Sequence, residues 1–360
     1  MESLVVNQFV DAQFWKNKKV FLTGHTGFKG SWMSLWLAEA GAKVTGYSLP
    51  PPTTPSLFVE ADIASVMDSR VGDVRDLENL KKVVAEVRPE IVIHMAAQPL
   101  VRYSYSHPVE TYMTNVMGTV HLFEAVRSVG TVKALVNVTS DKCYENQERE
   151  AGYREDEPMG GFDPYSNSKG CSELVTSAYR KSFFTKENIS VASGRAGNVI
   201  GGGDWADDRL VPDIIKSVLQ NKKLTIRNPK ALRPWQHVLE PVSGYLLLAQ
   251  KLFQQGASFA EGFNFGPAEN EACDVENIIL KMNRYWSGKI QYEIIQNENQ
   301  LHEAHFLKLN CDKAHKILNW QPRWNVNQAL EKTVEWNLRR LDGQSVKTIC
   351  LDQISKYGQG

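Results

Sequence analysis

Cysteine is scarce and scattered: the five at Cys143, Cys171, Cys273, Cys311 and Cys350 include no C-x-x-C pair. That spacing argues against a disulfide framework and against a zinc site, and it points to a reducing compartment. An excess of charge of one sign is also lacking, since 41 Lys plus Arg balance 41 Asp plus Glu. No global field therefore draws the chain to nucleic acid or to an anionic membrane surface. Long apolar runs are missing too. The longest, near Tyr245-Leu246-Leu247-Leu248-Ala249, is far too short to span a bilayer. The first residues, with Glu2 and Asp11, lack the basic region and apolar run of a secretory leader, so a cytoplasmic location is expected. Internal repeats are absent, and low complexity is confined to the Pro/Thr stretch Pro50–Pro55. His302 and His305 have no third ligand nearby in sequence, so they read as loop or core residues and no metal is expected.

What is present suits a globular protein of ordinary composition, 42% hydrophobic and 23% charged. A chain of 360 residues buries a substantial core as one large unit or two tightly joined domains. Up to residue 195, short β-rich runs alternate with longer helical patterns. Strands are expected at 19–23, 43–47, 91–94, 134–138 and 190–193, with helices around 30–40, 76–87, 111–129 and 166–186. Apolar strands separated by amphipathic helices predict an α/β fold, a parallel sheet covered on both faces. Beyond residue 195 the pattern loosens, with Gly201-Gly202-Gly203 as a loop and helices near 211–220, 237–254, 274–284 and 326–340. Phe263-Asn264-Phe265 is a candidate to rejoin the first sheet. The expectation is a doubly wound domain over 1–195, with returns near 237–266, and a smaller mixed α/β domain over 196–360.

The first strand runs into Gly24-His25-Thr26-Gly27-Phe28-Lys29-Gly30, and a helical pattern follows at once. Glycines there allow a tight turn and close approach to a pyrophosphate, while the helix N-terminus offers free N–H groups. The spacing is G-x-x-G-x-x-G rather than the commoner G-x-G-x-x-G. Asp73, where a third strand should end, is open to two readings: acceptor for an adenine amino group, or N-cap of the helix that follows. His94-Met95-Ala96-Ala97-Gln98 ends a strand in small residues, over which a flat cofactor can lie. After the second strand, Ser48 stands where an acidic ribose ligand is often found, and no Arg is placed to take a 2′-phosphate. NAD is therefore favoured over NADP.

Thr139-Ser140-Asp141-Lys142 closes another strand at its carboxyl end, where open α/β sheets hold ligands. Tyr165 and Lys169 follow at i,i+4, which places both on one helix face. An ammonium fixed beside a phenol is expected to lower the tyrosine pKa, making Tyr165 a base for a hydroxyl proton. Ser140 would hold that hydroxyl, and Lys169 would also bond the nicotinamide ribose.

Together Gly24–Gly30, His94–Ala97, Asn115, Ser140, Tyr165/Lys169 and Phe263-Asn264-Phe265-Gly266-Pro267 resemble the extended short-chain dehydrogenase/reductases over nearly the whole chain. Within them, Thr139-Ser140-Asp141-Lys142-Cys143-Tyr144 looks like the acid/base stretch of the nucleotide-sugar 4,6-dehydratases. His25–Trp32, Gly201-Gly202-Gly203-Asp204-Trp205 and Arg233-Pro234-Trp235-Gln236-His237-Val238 resemble the members acting on CDP-glucose. The resemblance implies a Rossmann-type NAD-binding domain contacting the cofactor through Gly24, Thr26, Gly27, Phe28, Lys29, Gly30, Ser48, Asp73, Val74, Ala96, Ala97, Gln98, Asn115, Thr139, Tyr165 and Lys169. It implies conversion of CDP-D-glucose to CDP-4-dehydro-6-deoxy-D-glucose, a precursor in O-antigen lipopolysaccharide biosynthesis. It also implies a homodimer through a four-helix bundle built on the helices near 111–129 and 166–186, or a tetramer of such dimers.

A dehydration of this kind asks for more than the Tyr/Lys pair. Oxidation at C4 makes the C5 proton acidic, water then leaves across C5–C6, and hydride returns to C6. Asp141 is the expected acid at O6, protonated while it works, a state that burial favours. Lys142 stands where related dehydratases carry a glutamate base. It serves as a neutral amine base or as a cation stabilising the enolate, or else the base is another group or water. For the two phosphates, Arg195, Arg209, Arg233 and the Lys222/Lys223 pair are candidates, with the planar fork of arginine favoured. By resemblance the nucleotide-sugar contacts are Arg102, Asn198, Arg209, Leu210, Arg233 and Trp235. A 4-epimerase, a dehydratase for another nucleotide-hexose and a non-catalytic NAD-binding scaffold are the rival readings. An epimerase has no use for an acid at O6.

Overall fold

The computed structural model describes residues 10–226, 228–268, 271–295 and 306–359. His302 and His305 lie outside them. Seven parallel strands form one sheet: β1 (Lys19–Thr23), β2 (Lys43–Ser48), β3 (Asp68–Val71), β4 (Ile91–His94), β5 (Ala134–Val138), β6 (Ser190–Ala196) and β7 (Gly262–Phe265). Their spatial order is β7-β6-β5-β4-β1-β2-β3. The chain thus turns one way from β1 to β2 and β3, and the other way from β1 to β4 and beyond. The crevice between the carboxyl ends of β1 and β4 is the switch point where such sheets hold ligands. Phe263-Asn264-Phe265 does rejoin the sheet, with Phe263 paired to Gly194 and Phe265 to Ala196.

Period-two alternation sorts the strand residues onto two faces. Leu22, Ile93, Val136 and Ala192 point into one apolar core with Trp32, Trp36, Leu246 and Leu248. Those partners come from the helices Phe28–Glu39 and Leu239–Gln255. Phe21, Val92, Leu135 and Val191 point into the other core, with Val84, Leu122, Phe123 and Val126. There the cover is supplied by the helices Leu77–Val87 and Gly118–Arg127. Strands apolar on both faces are what a sheet covered twice requires.

Beyond β6, three two-stranded pairings build the second wall of the cleft: Val199–Ile200 with Gln236–His237, Leu232–Arg233 with Cys273–Asp274, and Leu224–Ile226 with Tyr292–Ile294. Helices Leu210–Leu219, Val275–Tyr285 and Val326–Leu341 support them. The longest unforeseen helix is Val346–Gln359 at the carboxyl end. It packs back on the first half, where Tyr357 meets Trp36 edge-on at 5.7 Å. Among the described residues no helix is long and apolar enough to cross a membrane.

Candidate active site

The glycine turn is built for close approach. Gly24 has φ +77°, and a Cβ there would stand 2.7 Å from the Ala96 nitrogen. At Gly30 a Cβ would collide with the Gly24 carbonyl oxygen at 2.1 Å, so helix and strand meet without side chains between them. Gly27 is the N-cap of helix Phe28–Glu39 and supplies no side-chain cap. The first N–H groups of a twelve-residue helix are therefore left for a ligand, which fits a dinucleotide pyrophosphate. Thr26 Oγ1 and Ser48 Oγ lie 2.9 Å apart at the end of β2. Ala96 donates its N–H to Thr23 Oγ1 at 3.1 Å, which ties the small-residue segment after β4 to β1.

Three expectations for this half need correction or refinement. Asp73 is not the helix N-cap; Asp76 is, accepting from the Asn79 N–H at 3.1 Å. Asp73 instead grips Arg75 through two short bonds, Nε to Oδ1 at 3.0 Å and Nη2 to Oδ2 at 2.6 Å. Burial acts to raise this carboxyl, but the Arg75 hydrogen bonds and charge hold it below the usual range. Asn115 is buried and spends its amide on structure, accepting from Gln98 N–H at 2.8 Å and donating to Gln98 O and Ser168 Oγ. Its observed work is to fasten the loop after β4 to helix Pro164–Tyr179. Val74 is buried in the second core.

A cleft of 810 Å³ lies across the carboxyl ends of the central strands. Thr139, Ser140, Asp141, Lys142, Tyr165 and Arg102 line it, as do Asn198, Arg209, Leu210, Arg233 and Trp235 from the facing wall. Ser140 ends the extended segment after β5 and caps a short turn, accepting from Lys142 N–H at 3.3 Å. Its hydroxyl donates to Asp141 Oδ1 at 3.0 Å. Asp141 is buried, and Lys142 Nζ approaches the same Oδ1 at 3.3 Å. Asp141 Oδ2 has no partner among the described residues. A buried carboxylate oxygen without a bond is costly unless something is to be met there.

Tyr165 follows Pro164 at the start of its helix, whose N-cap Asp163 accepts from Ser166 N–H at 2.9 Å. The expected lowering of its pKa is not found. Burial pushes the phenol up to about 12, with the neighbouring Ser140 hydroxyl pulling the other way. Lys169 is itself lowered to about 8 by burial, against the opposing charge of Glu173. For both groups desolvation is the largest influence. Lys169 Nζ bonds Val138 O at 3.4 Å, which holds the amine under the end of β5.

Arg195 does not face the cleft. It is buried against Glu173, with Nη2 to Oε2 at 2.8 Å and Nε to Oε1 at 2.9 Å, and it donates to Tyr144 Oη at 2.7 Å. This network also takes in Thr139, Ser193 and Asn264, so Arg195 braces the strand ends and is not free for phosphate. Lys222 and Lys223 are exposed and lie outside the cleft lining. Arg209 stays in play, its Nη1 held 3.0 Å from Asp204 Oδ2. Arg102 reaches across to Asp208 at 3.8 Å. Asn198 Oδ1 is buried, lines the cleft and has no partner among the described residues.

Sequence reasoning missed Glu173, Asp204 and Asp213. Asp213 lines the cleft and is pushed up to about 6, first by burial and, against Lys216, by Asp208, Asp207 and Asp204. The run of four aspartates after the triple glycine was the one signal for it. His94, beneath the site, is driven down to about 3 by burial and the Lys169 charge, and is neutral. Its Nδ1 sits 2.7 Å from Thr23 Oγ1.

A doubly wound sheet with an uncapped glycine turn at its switch point and a buried Tyr-x-x-x-Lys pair beside a serine defines a Rossmann-type enzyme fold of the extended short-chain dehydrogenase/reductase class. More narrowly, residues 21–333 match the GDP-mannose 4,6 dehydratase family model, and the chain belongs to that family. It is 56% identical over 353 residues to the CDP-glucose 4,6-dehydratase of Salmonella typhimurium, covering 97% of this chain and 98% of that one. A UDP-glucose-4-epimerase from Stenotrophomonas maltophila, solved with bound NAD and formylated UDP-arabinopyranose, has the same fold at TM-score 0.80 and 19% identity, covering 91% of this chain and 100% of that one. A dTDP-glucose 4,6-dehydratase from Bacillus anthracis, solved with NAD, gives TM-score 0.75 at 22% identity, covering 90% of this chain and 98% of that one.

Proposed function

We propose that the chain converts CDP-D-glucose to CDP-4-dehydro-6-deoxy-D-glucose with NAD held through the cycle. The observation that carries this reading is the joint placement of Ser140, Asp141, Lys142 and Tyr165 on one wall of a single cleft, in a chain so similar to a CDP-glucose 4,6-dehydratase. NAD, when bound, supplies the acceptor for hydride from C4 and returns it at C6. The glycine turn with helix Phe28–Glu39 would hold the pyrophosphate, and Lys169 the nicotinamide ribose.

Tyr165 takes the proton from the C4 hydroxyl, which Ser140 orients. A phenol raised by burial needs a cation close by to ionise, and Lys169 supplies one from the next helical turn. Asp141, through its unpartnered Oδ2, delivers a proton to the departing C6 oxygen. Lys142 Nζ stands 3.3 Å from Asp141 Oδ1, and the proton leaving C5 passes either to Lys142 as a neutral amine or to another group or water while Lys142 stabilises the enolate as a cation. Arg209 and Arg233 would meet the diphosphate, with Asn198, Arg102, Leu210 and Trp235 around the nucleotide and sugar.

Exposed Val109, Met113 and Met117 on helix segments 108–127, and Leu174 and Phe183 on segments 164–184, leave apolar side chains on the outer surface. They support pairing of two copies through a four-helix bundle, which light scattering would register as twice the chain mass. A cytoplasmic role in O-antigen precursor synthesis accords with the proposed product.

The test is incubation with CDP-glucose, dTDP-glucose, UDP-glucose and GDP-mannose, followed by mass analysis. Loss of one water from the CDP sugar, with no net reduced coenzyme, is expected. A product of unchanged mass would overturn the dehydratase reading in favour of a 4-epimerase.

A further inference from the structure

Lys29 was expected to touch the cofactor only as part of the glycine turn, yet its side chain lines the cleft alongside the reacting groups. No hydrogen bond or ion pair engages its amine among the described residues. The ring of Tyr245 has its centroid 6.0 Å from Nζ, and the Tyr245 hydroxyl is buried and has no hydrogen-bond partner among the described residues. The charged and titratable groups facing it come from every neighbouring element. Asp141 follows β5, Lys169 lies on helix Pro164–Tyr179, Asp204 and Arg209 flank the segment before helix Leu210–Leu219, and Tyr245 sits on helix Leu239–Gln255. Its amine thus feels both Lys169, which the reading above sets at the nicotinamide ribose, and the Asp204/Arg209 pair of the facing wall.

We propose that Lys29 lies against the nicotinamide end of the bound dinucleotide, and that its positive charge favours the reduced over the oxidised ring. The proposal rests on the NAD-dependent reading above. The oxidised ring is a cation and the reduced ring is neutral, so a nearby ammonium repels only the former. A protein that must draw hydride from an unactivated sugar carbon gains from a ring biased toward reduction. Burial first, then the Lys169 and Arg209 charges, lower the Lys29 amine to about 7, against Asp141 and Asp204. Its charge therefore changes around pH 7, and the bias should change with it.

The experiment equilibrates the purified enzyme with defined NAD+/NADH mixtures from pH 6 to pH 9, then extracts the bound dinucleotide and measures its two forms by chromatography. The wild type should favour NADH at pH 6 and lose about tenfold of that preference by pH 9. Lys169, lowered to about 8, also titrates across this range, so Lys29→Met should show a lower pH 6 preference and a smaller loss by pH 9 than the wild type, and Lys29→Arg should keep more of the pH 6 preference at pH 9 than the wild type. Unfolding midpoints check that each variant folds, and the arginine variant carries the test by itself should the methionine one fail. Wild-type ratios in the variants across the whole range would overturn the inference while leaving the dehydratase reading intact. Failure of the wild type to retain either dinucleotide would overturn both.

Discussion

Lys142 sets its ammonium 3.3 Å from Asp141 Oδ1, while the other oxygen of that buried carboxyl meets nothing among the described residues. One oxygen is thus anchored by a cation and the Ser140 hydroxyl, and the other is available to the substrate. This geometry separates the two residues' contributions to elimination.

Asp141→Asn should slow loss of water far more than oxidation at C4, by about 10²–10³-fold. The check is single-turnover mass analysis, in which the variant should accumulate a 4-keto hexose that retains its C6 oxygen. Equal slowing of both steps would remove Asp141 from the acid role. Lys142→Met should slow elimination as well, and Lys142→Arg should recover part of the loss if the side chain acts as a cation.

Tyr165→Phe should lower turnover by about 10³-fold, since the proton on the C4 hydroxyl then has no base. The ring stays packed, so the thermal unfolding midpoint should move little. A melting curve beside the rate distinguishes lost chemistry from lost structure.

Arg209 is held by Asp204, a pairing five residues apart that orients the guanidinium along the cleft. Arg209→Met should raise KM for the nucleotide-sugar by about tenfold or more, a charge-assisted contact being worth roughly 1.5–3 kcal/mol. Asp204→Asn should raise KM by less and leave kcat nearly unchanged. A fall in kcat with unaltered KM would place Arg209 in the chemical step instead.

Glu240 is buried beneath the carboxyl-terminal helix, accepting from Trp324 N–H at 2.8 Å and Tyr357 Oη at 2.6 Å. Burial raises it from 4.5 to about 7, the hydrogen bonds from Tyr357, Trp324 and Arg323 notwithstanding. Between those values the folded chain keeps a proton that the unfolded chain has released. Stability from this group should therefore fall as pH rises from 4.5 to 7, by about 3 kcal/mol, and stay level above. Denaturant titrations at pH 5 and pH 8 should show a smaller decline for Glu240→Gln than for the wild type.

Much of the site was legible because its signals are local. Tyr165 and Lys169 share a helix face by spacing alone, and Gly24, Gly27 and Gly30 mark a turn no bulkier residues could make. Other assignments failed because they hang on partners remote in sequence. Arg195 was one of several phosphate candidates by sequence, yet Glu173, 22 residues earlier, is bonded to it. For Asp73 the N-cap reading failed because Asp76, three residues on, takes that place. The pKa of Tyr165 went the opposite way because spacing reveals a neighbour's charge but not the depth of burial.

By itself the order of residues determined the doubly wound sheet, the dinucleotide turn and the Tyr/Lys pair, because each depends on hydrophobic period or on contacts within one helical turn. Only the tertiary structure decided which cations face the cleft, which carboxylates are already paired, and that Lys29 points into the cleft. Those outcomes depend on desolvation and on distances between elements far apart in the chain, and neither quantity exists until the sheet has closed over its two cores.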